Sequence, residues 1–541
     1  MIALALRSID KLFVDQYKVP HAAMVCDGHR EVWPVDGSDF QRWIQGLYYK
    51  TEGKACTADV IKTAVNTISA QAQFAGAGQI ELNNRVAWLG DELWYDLTNS
   101  SWQAVRIAKD GWEVVSNPPI LFRRFRNQQP QVIPATGGRF ERFLDFVNLR
   151  RNQDKILAQV WLLASLIPDF PHPIATLYGS QGSGKSFFFK LCKRLIDPGT
   201  KLIDSLPNAQ ADLIKKLHNN YLTPLDNLSH LPSWACDILC RAVTGDGHSE
   251  RVLYTNNEEM ILFFRRVIGL NGINLAATQP DVLDRSIIFE LERISKETRK
   301  REKQIDKEFQ NALPGIMGGA FDILSKAMVI YPGVEDTLPE LPRMADFAVW
   351  GYAIGEALGG RGDEFLKFYL ENIRCQHLEV VHGSPLAEAV SKLMDGVISW
   401  EGTSSRLLAE LNILATGLNL NTRNDKYWPQ EAKGLTRRLN VLKTNLAEIG
   451  IYVETGIHKE SGNFIHISRN DSSISSSTDI KDSCYSPAGD ITGDIVLHPP
   501  ISSGSSRISS GKSVSIGAKI KEAGVTGDIF HRSAESHGAW A

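Results

Sequence analysis

The sequence predicts a multidomain protein of the α/β class with a β-rich N-terminal region. The length of 541 residues exceeds what one hydrophobic core usually serves, so about three or four domains are expected. A strand, a glycine loop and a helix follow one another within residues 172–190. Alternating apolar segments, broken by turn residues, begin near Gln79. These observations predict at least one α/β domain with a glycine loop between a strand and a helix, and a separate small β-sheet.

The glycine loop has the spacing G-x-x-x-x-G-K-S. An apolar, β-branched run, Ile174 to Tyr178, precedes it, and an aromatic run that opens a helix follows it. This context is typical of a P-loop, in which backbone N–H groups hold a phosphate at a helix N-terminus. The predicted nucleotide-binding residues are Gly179, Ser180, Gln181, Gly182, Ser183, Gly184, Lys185 and Ser186. Lys185 would contact the β- and γ-phosphates of ATP, and the Ser186 hydroxyl would ligate Mg²⁺. The alternative is a structural glycine turn.

Composition excludes several classes of protein. A hydrophobic content of 43% is that of a globular chain, and a net charge of −3 provides no global basic field for nucleic acid. The seven cysteines include no C-x-x-C pair, which favours reduced, buried thiols. The longest apolar run, Ile156 to Ile167, is too short to span a bilayer. We therefore expect a cytoplasmic protein without membrane partners.

The N-terminal region, residues 1–138, combines a helix-like piece from Ala58 to Ala72 with the β pattern from about residue 79. Four tryptophans recur in the β pattern: Trp88, Trp94, Trp102 and Trp112. A row of aromatic rings can stack bases, but packing of a small sheet is the simpler interpretation. A basic cluster then follows, comprising Arg123, Arg124 and Arg126. It would contact phosphate or form a solvated sheet edge. The Pro- and Gly-rich stretch from Gln128 to Gly138 predicts a linker.

The next region, residues 139–295, predicts helices and then the ATPase core. After the P-loop helix, the apolar run Tyr221 to Asp226 ends in an acid. This is the Walker B arrangement, which predicts a strand beside the P-loop strand and a role for Asp226 in holding Mg²⁺ through water. The alternative is an acid that closes an ordinary strand. Pro224 is unusual in a central strand.

Two polar residues flank later strands. Asn271 ends the strand V-I-G-L-N-G-I-N, where it can orient an attacking water. Arg285 begins the strand D-R-S-I-I-F-E-L, where it can enter a neighbouring subunit's site and stabilise transition-state charge. Alone, each residue favours a structural role, whereas the ordered set after a P-loop favours catalysis.

These motifs resemble the superfamily 3 helicase ATPases, in particular phage- and plasmid-encoded relatives of the poxvirus primase-helicase. The phrases L-D-N-L-S, L-N-G-I-N and L-P-R-M-A-D-F-A-V-W-G are similar to that group, and the resemblance extends over residues 80–468. It implies an AAA+-like core in which Asp226 is the Walker B acid, Asn271 the sensor and Arg285 the trans finger. It also implies a hexameric ring with ATP between subunits. A pore hairpin within Thr244–Glu259 would contact single-stranded DNA through His248 and Arg251.

One residue departs from the family pattern. Walker B usually carries a second acid, but Asn227 follows Asp226. An amide can position water and cannot accept its proton. We therefore expect slow hydrolysis, or a contribution from another acid such as Asp237.

Residues 296–395 predict a helical region whose charged start is a solvated face or a subunit contact. Residues 396–468 predict a winged helix, with W-E-G-T-S-S-R-L-L-A-E-L-N as its first helix and a terminal hairpin. Its long helix would place four leucines in the core, at Leu435, Leu439, Leu442 and Leu446. Its basic residues would face DNA or solvent: Lys433, Arg437, Arg438 and Lys443. The serine- and glycine-rich residues 469–541 predict a disordered tail.

The sequence thus predicts an ATP-dependent DNA helicase or translocase of a phage or plasmid replication system, acting as a homo-oligomeric ring on single-stranded or forked DNA. No zinc-ligand cluster or paired-acid motif is recognisable in the N-terminal region, so priming is assigned to a separate primase. The alternative is an ATP-switched replication initiator or regulator that binds DNA without unwinding it. A small-molecule P-loop kinase explains neither Arg285 nor the winged helix.

Overall fold

The computed structural model describes most of the chain up to Arg469. The described residues are 1–26, 28–228, 231–251, 259–272, 280–295, 300–334, 338, 341–418, 420, 422, 428–459 and 462–469. They belong to one unit, Met1–Cys484, whereas a second unit, Tyr485–Ala541, lies wholly outside them. The predicted disordered tail is therefore outside the described residues from position 470 onward.

The first 74 residues form a small α/β unit. Its elements are α1 (Ile2–Ser8), β1 (Ile9–Val14), β2 (Pro20–Cys26), β3 (His29–Pro34), α2 (Ser38–Glu52) and α3 (Ala58–Phe74). The strands pair antiparallel in the order β1-β2-β3. The predicted helix is confirmed as α3, but the sequence pattern did not reveal the sheet. The central strand contains Ala22 and Ala23, and alanine is depleted in strands.

A second antiparallel sheet follows, as the alternating pattern predicted. Its strands are β4 (Val86–Leu89), β5 (Glu92–Asp96), β6 (Ala104–Ala108) and β7 (Gly111–Val115), in the order β4-β5-β6-β7. The tryptophans pack rather than form an exposed row. Trp94 is buried, the Trp112 Nε1 donates to Asp322 Oδ1 (2.8 Å), and the ring of Trp88 stacks on that of Trp350. The simpler interpretation of the tryptophans is confirmed.

The predicted basic cluster is paired with carboxylates. Arg123 pairs with Asp15, Arg124 with Asp96, and Arg126 with Asp39. The Arg124 guanidinium also lies over the Trp102 ring, 3.8 Å from its centroid. The Arg123 and Arg126 pairs reach the first unit, and the Arg124 pair stays within the second sheet. The cluster is therefore paired, although Arg126 is 71% exposed.

The central sheet is parallel and has four strands. They are β8 (Ile174–Tyr178), β9 (Leu222–Leu228), β12 (Val267–Gly272) and β13 (Ser286–Glu290), in the order β13-β8-β12-β9. The prediction that the Asp226 strand lies beside the P-loop strand is wrong, because β12 lies between them. The strand β9 is the last strand of this sheet: β12 pairs with it on one side, and on the other side only an isolated bridge joins Leu225 to Asp204. An edge position tolerates Pro224, which has no N–H to donate.

Helices cover the central sheet, and a two-stranded hairpin extends from it. The helices are α4 (Asn152–Ala164), α5 (Lys185–Ile196), α6 (Gln210–Asn219), α7 (Ser233–Thr244) and α8 (Pro280–Leu283). A 3₁₀ turn, Phe140–Phe146, precedes α4. The hairpin pairs β10 (Gly247–Arg251) with β11 (Glu259–Phe263). The apolar run from Ile156 to Ile167, considered above as a membrane span, is buried in and just after α4.

A helical region follows the central sheet, as predicted. Its helices are α9 (Glu302–Val334), α10 (Ala345–Ala357) and α11 (Gly362–Gly383). At the charged start of α9, Glu302 pairs with Lys190 (2.6 Å), and Asp306 pairs with Arg194. Within the described residues, α9 is long and apolar enough to cross a membrane, and 67% of its most apolar window is buried inside the fold.

The stretch from Gln128 to Gly138 is not a free linker. Gln131 is buried, and its Nε2 donates to Tyr95 Oη (3.1 Å) and Leu195 O (2.9 Å). Further on, the chain crosses the small residues of α9, and Ala135 N donates to Pro314 O (2.9 Å). A Cβ at Gly318 would overlap the Ala135 carbonyl oxygen. The Pro and Gly residues therefore permit a close approach of two backbones. Composition alone had predicted a linker here.

We expect Gly318→Ala to destabilise the protein by about 1–3 kcal/mol, because the added methyl overpacks this crossing. Gly333 lies in the same helix with open space around its Cβ position. Gly333→Ala is therefore the matched control and should be neutral, or stabilising by up to about 1 kcal/mol. Urea denaturation of both variants measures the difference. Equal stabilities for the two variants would exclude a tight crossing.

The C-terminal part of the described chain has its own core. It contains α12 (Pro385–Leu393), β14 (Ser399–Thr403), α13 (Ser404–Gly417), α14 (Ala432–Glu448), β15 (Ile451–Lys459) and β16 (Gly462–Arg469). The strands pair antiparallel in the order β14-β16-β15. The four leucines predicted for the core of α14 are buried. Helix α12, which lies before the predicted boundary at residue 396, contributes Leu386 and Val390 to the same core.

One predicted element of this part is wrong. Trp400 to Thr403 form the strand β14 instead of the first turns of a helix. The helix α13 begins only at Ser404, where Thr403 Oγ1 accepts a hydrogen bond from Arg406 N (3.3 Å). A threonine at this position is a favourable N-cap, so the cap marks the boundary that the apolar pattern did not.

Candidate functional site

Of the eight residues predicted to bind nucleotide, residues 179–184 form the connection between β8 and α5, and Lys185 and Ser186 are the first two residues of α5. Gly179, Gly182 and Gly184 have φ values of +137°, +80° and +91°. Residues with a Cβ rarely adopt these backbone conformations, so glycine is required at each position. The helix α5 begins at Lys185, directly after the loop. Backbone N–H groups at a helix N-terminus attract anions, which is the chemistry the spacing predicted.

The loop is held in shape by the segment after β13, which sequence reasoning did not connect with it. Leu291 N donates to Tyr178 O (2.9 Å), and a Cβ at Gly179 would overlap Leu291 O. Ile294 N donates to Gly182 O (3.3 Å). These bonds fix the loop without using its own N–H groups.

Asn148 is a second contact to the loop that the motif search missed. Its Nδ2 donates to Ser183 O (3.3 Å) and to Glu292 O (2.5 Å). It therefore joins the loop to the segment after β13. Its residue type and its distance in sequence from the loop carry no recognisable signal.

Lys185 lies over the loop that precedes it. Its Nζ donates to Gly179 O (2.6 Å) and Ser180 O (2.9 Å). Partial burial lowers the pKa of Lys185, and the nearby Asp226 carboxylate opposes that change. The ammonium is thus held at the loop, where a bound phosphate would be.

Ser186, Asp226 and Asn271 converge next to the loop. Ser186 Oγ donates to Asp226 Oδ1 (3.0 Å), and Asn271 Nδ2 donates to Ser186 Oγ (3.2 Å) and to Asp226 Oδ1. The three residues come from α5, β9 and β12. Parallel strands end at the same edge of a sheet, so the observed topology brings them together although they are far apart in sequence.

The cluster has one unused acceptor. Asn271 is 4% exposed, and its buried Oδ1 has no hydrogen-bond partner among the described residues. A buried carbonyl oxygen without a partner is costly, so this atom is suited to accept from a water or ligand. The sequence predicted that Asn271 orients an attacking water, and this role stays a prediction.

Asn227 lies in a bulge at the end of β9. Its φ is +58°, and the pairing of β12 with β9 shifts register between Leu270 and Gly272. The side chain of Asn227 is exposed. Within the described structure it makes no hydrogen bond to the Ser186–Asp226–Asn271 cluster. Bulges of this kind often occur beside active sites and re-aim a side chain.

Arg285 does not join this cluster within its own chain. It precedes Ser286, which pairs with Ile174 at the start of β8, whereas the loop follows the end of β8. Since β8 has five residues at about 3.3 Å each, Arg285 lies about 15 Å from the loop. Its Nη1 donates to Asp281 O (2.9 Å), and it lines a surface cleft of about 350 Å³.

Asp237, considered above as a substitute acid, lines the cleft of Arg285. Its carboxylate is 67% exposed and lies 3.6 Å from the Arg241 guanidinium. In the described structure it is not bonded to the Ser186–Asp226–Asn271 cluster. It is therefore not positioned to replace a second Walker B acid in the same chain.

The predicted DNA contacts fall into two groups. His248 and Arg251 lie on β10 of the predicted pore hairpin, but their side chains are outside the described residues. On α14, Lys433, Arg437 and Lys443 are exposed and Arg438 is half-buried. Lys433 and Arg437 thus lie on the face of α14 opposite its buried leucines, whereas Arg438 and Lys443 lie beside that apolar face.

Two family models match the sequence. Residues 140–364 match the model of the actinomycete integrative conjugative element replication protein. Residues 386–481 match the model of the RepA C-terminal domain of the same elements. The mobile element in these descriptions is an integrative conjugative element, where the sequence had suggested a phage or plasmid. No curated protein matches the chain.

Solved structures of the C-terminal region of NrS-1 are similar to the chain at a low level. An A-form apo structure has 13% identity and a TM-score of 0.38, and the match covers 86% of this chain and 98% of that chain. An apo structure of its residues 305–718 has 13% identity and a TM-score of 0.37, with 86% and 97% covered. Scores of this size do not establish a common fold.

Proposed function

We propose that this chain, which belongs over residues 140–364 and 386–481 to the replication-protein family of actinomycete integrative conjugative elements, is an ATP-dependent DNA helicase or translocase. The observation that carries this proposal is the convergence of Ser186, Asp226 and Asn271 beside a glycine loop at the carboxyl edge of a parallel sheet. A hydroxyl and a carboxylate that can hold Mg²⁺, with an amide that can orient a water, support nucleotide hydrolysis beside this loop.

The residues of the site fit ATP and Mg²⁺. The loop N–H groups and Lys185 would hold the β- and γ-phosphates, and Ser186 Oγ with the Asp226 carboxylate offers the oxygen ligands that Mg²⁺ prefers. Bound there, Mg²⁺ would neutralise charge on the phosphate oxygens. The unpartnered Asn271 Oδ1 would accept a hydrogen bond from the attacking water and orient it toward the γ-phosphate.

We further propose that ATP lies between subunits of a ring. Arg285 is too far from the loop of its own chain, but it lines a surface cleft with Asp281 and Arg241. A neighbouring subunit's nucleotide at this face would receive its guanidinium. Ring size, given as six by the family resemblance, stays a prediction.

The DNA contacts would come from two places. The element order of the C-terminal part, helix, strand, two helices and then two strands, supports the assignment of a winged helix. In such a domain, the basic side chains of α14 would contact the phosphate backbone. The β10–β11 hairpin would grip single-stranded DNA. Priming would then require a separate primase.

A second candidate function is supported by Asn227. No second acid follows Asp226, and Asp237 is bonded elsewhere. A site that holds ATP but hydrolyses it slowly would serve as an assembly switch for a DNA-binding initiator that does not unwind DNA.

ATP hydrolysis with and without single-stranded DNA tests these proposals, with Lys185→Ala defining the background rate. We expect DNA to stimulate turnover in the wild type and to have no effect on the variant. A wild-type rate equal to that of Lys185→Ala, with nucleotide still bound, would favour the assembly switch. Unwinding of a forked duplex by the wild type would exclude it.

A further inference from the structure

A cleft of about 200 Å³ lies at the base of the β10–β11 hairpin, between the N-terminal unit and the central sheet. Tyr17 Oη of the N-terminal unit donates to Phe263 O (2.6 Å), and Phe263 pairs with Gly247 where the hairpin begins. The cleft is thus continuous with the hairpin and separate from the nucleotide loop.

Three arginines line the cleft: Arg123, Arg265 and Arg266. Arg266 donates to three backbone carbonyl oxygens, those of Leu217 (2.7 Å), Arg265 (2.7 Å) and His218 (3.1 Å). In the described part of the chain, no carboxylate lies within ion-pair distance of Arg266. Carbonyl oxygens orient the guanidinium but leave its charge uncompensated.

The other charges of the cleft do not cancel this excess. Arg265 donates to the carbonyl oxygens of Thr244 (3.1 Å) and Asp169. Arg123 pairs with the buried Asp15. Two acids, Glu81 and Asp169, also line the cleft, but both are exposed to solvent. The interior of the cleft is therefore positive.

The ionisation of His218 reflects this positive charge. Burial, together with the nearby Arg266 and Arg123, lowers the pKa of His218 to about 4. Burial also lowers the pKa of Arg266 to about 10. A buried group of opposite charge would relieve both effects.

Two buried donors of the cleft have no acceptor among the described residues. Tyr221 is 4% exposed, and its hydroxyl has no hydrogen-bond partner. Burial raises the pKa of Tyr221, so the hydroxyl keeps its proton. The Nε of Arg123 is likewise buried and unpartnered. Buried donors without partners are uncommon, and an oxygen-rich anion would satisfy both.

An exposed aromatic ring lies at the edge of the cleft. Phe263 is 60% exposed, although it ends β11 and is followed by the buried Phe264. Exposed phenylalanines beside basic grooves are the platforms on which single-stranded nucleic acids stack their bases. A phosphate site and a stacking ring thus lie next to each other.

We propose that the cleft and Phe263 bind one nucleotide unit of single-stranded nucleic acid, with its phosphate against Arg266, Arg123 and Tyr221 and its base on the Phe263 ring. The inference rests on the proposed function, since it places a strand at the predicted pore hairpin. It adds a contact at the base of the hairpin, and it assigns to Arg123 the phosphate contact that the sequence left as one of two alternatives. The strand would pass from the hairpin toward that unit.

The sharpest test is Tyr221→Phe, which removes only the unpartnered hydroxyl. If the hydroxyl is merely structural, its loss leaves oligonucleotide affinity unchanged and stability equal or higher. We expect equal or higher stability together with about two- to tenfold weaker binding of a fluorescent oligo-dT. Fluorescence anisotropy without nucleotide measures the affinity, so hydrolysis is not involved.

Two further variants test the other contacts. Phe263→Ala, at an exposed site, should weaken oligo-dT binding about fivefold or more through lost stacking. Arg266→Gln should reduce the slope of log affinity against log salt by about 0.7. Arg106→Gln, which removes one positive charge from a residue of the second sheet that does not line the cleft, is the control and should keep the wild-type affinity and slope.

The outcomes separate this inference from the proposed function. A wild type that does not bind oligo-dT contradicts both. A wild type that binds, with Tyr221→Phe and Phe263→Ala binding equally well, overturns the inference alone. A second measurement uses inorganic phosphate as the ligand and records how much it raises the melting temperature of the wild type and of Tyr221→Phe. If the variant changes this stabilisation but binds oligo-dT as the wild type does, the cleft is a site for free anions and the strand assignment is wrong.

Discussion

Replacing Arg285 by alanine should reduce ATP turnover by about 10³-fold or more while leaving nucleotide binding unchanged. The reason is geometric. Arg285 directly precedes β13, at the end of the sheet opposite the loop, so it contributes nothing to the phosphate contacts of its own chain. In a ring it would stabilise the charge that develops on the neighbour's γ-phosphate, which affects the transition state and not the ground state. Steady-state turnover and equilibrium binding of a fluorescent ATP analogue measure the two quantities.

Mixing variants shows whether the arginine acts between subunits. Lys185→Ala disables the loop of its own chain, and Arg285→Ala disables the neighbour's site. Each variant alone should be inactive, but mixed rings contain some interfaces with an intact loop facing an intact Arg285, so part of the activity should return.

Two variants separate the role of Arg285 from loss of charge. Arg285→Lys retains the charge without the planar fork and should restore little activity. Arg343→Ala removes another arginine, paired with the adjacent Asp284, and should retain most activity. Full turnover by Arg285→Ala would rule out the trans finger.

The conformation of the glycine loop was predictable because its constraints are local. Glycines at Gly179, Gly182 and Gly184 are required by positive φ angles, and the spacing to Lys185 is fixed by the start of a helix. Both requirements can be recognised from eight consecutive residues of the sequence. The bracing of the loop by Leu291 and Asn148 is not, because these contacts depend on tertiary structure alone.

The strand order shows the same limit. The apolar run ending at Asp226 predicted a strand correctly, yet its place beside β8 was wrong because β12 inserts between them. Nothing in the local pattern of either strand specifies its neighbour. The convergence of Ser186, Asp226 and Asn271 nevertheless survives the error, since any order of these parallel strands leaves their carboxyl ends at one edge.

Packing explains the remaining differences. The segment from Gln128 to Gly138 has the composition of a linker, but its glycines and its short side chains permit contact with the small residues of α9. Arg85, the buried partner of Asp197, could not be identified at all. It has φ of +70° and a fully buried guanidinium, both unusual for arginine.

Among the variants proposed above and below, Asp197→Ala should cause the largest loss of folding stability, about 3–5 kcal/mol. Asp197 is 1% exposed, and it accepts from Arg85 Nε (3.1 Å) and Lys193 Nζ (2.6 Å), both also buried. It also accepts from the backbone N–H groups of Tyr221 and Leu222. The carboxylate therefore joins the second sheet, α5 and β9, and its removal leaves two buried cations without their acid.

The dependence on pH has a definite sign. Burial alone would raise the pKa of Asp197, but Lys193 and Arg85 lower it from 3.8 to about 2. A folded-state pKa below the unfolded value contributes stability that is present above about pH 4 and is lost as the pH falls through 2. In the Asp197→Ala variant this contribution is absent at every pH, so its stability should change less than that of the wild type between pH 4 and pH 2.

Urea denaturation followed by circular dichroism at pH 7 and along this pH series measures both effects. Asp197→Asn keeps an oxygen for the Tyr221 and Leu222 N–H groups but loses the charge, so it should fall between the wild type and Asp197→Ala. Asp110, 73% exposed beside Arg106, provides the surface control, and Asp110→Ala should cost less than about 1 kcal/mol. If Asp197→Ala were no more destabilising than Asp110→Ala, the buried cluster would not hold these three elements together, and the loop helix α5 would depend on apolar packing alone.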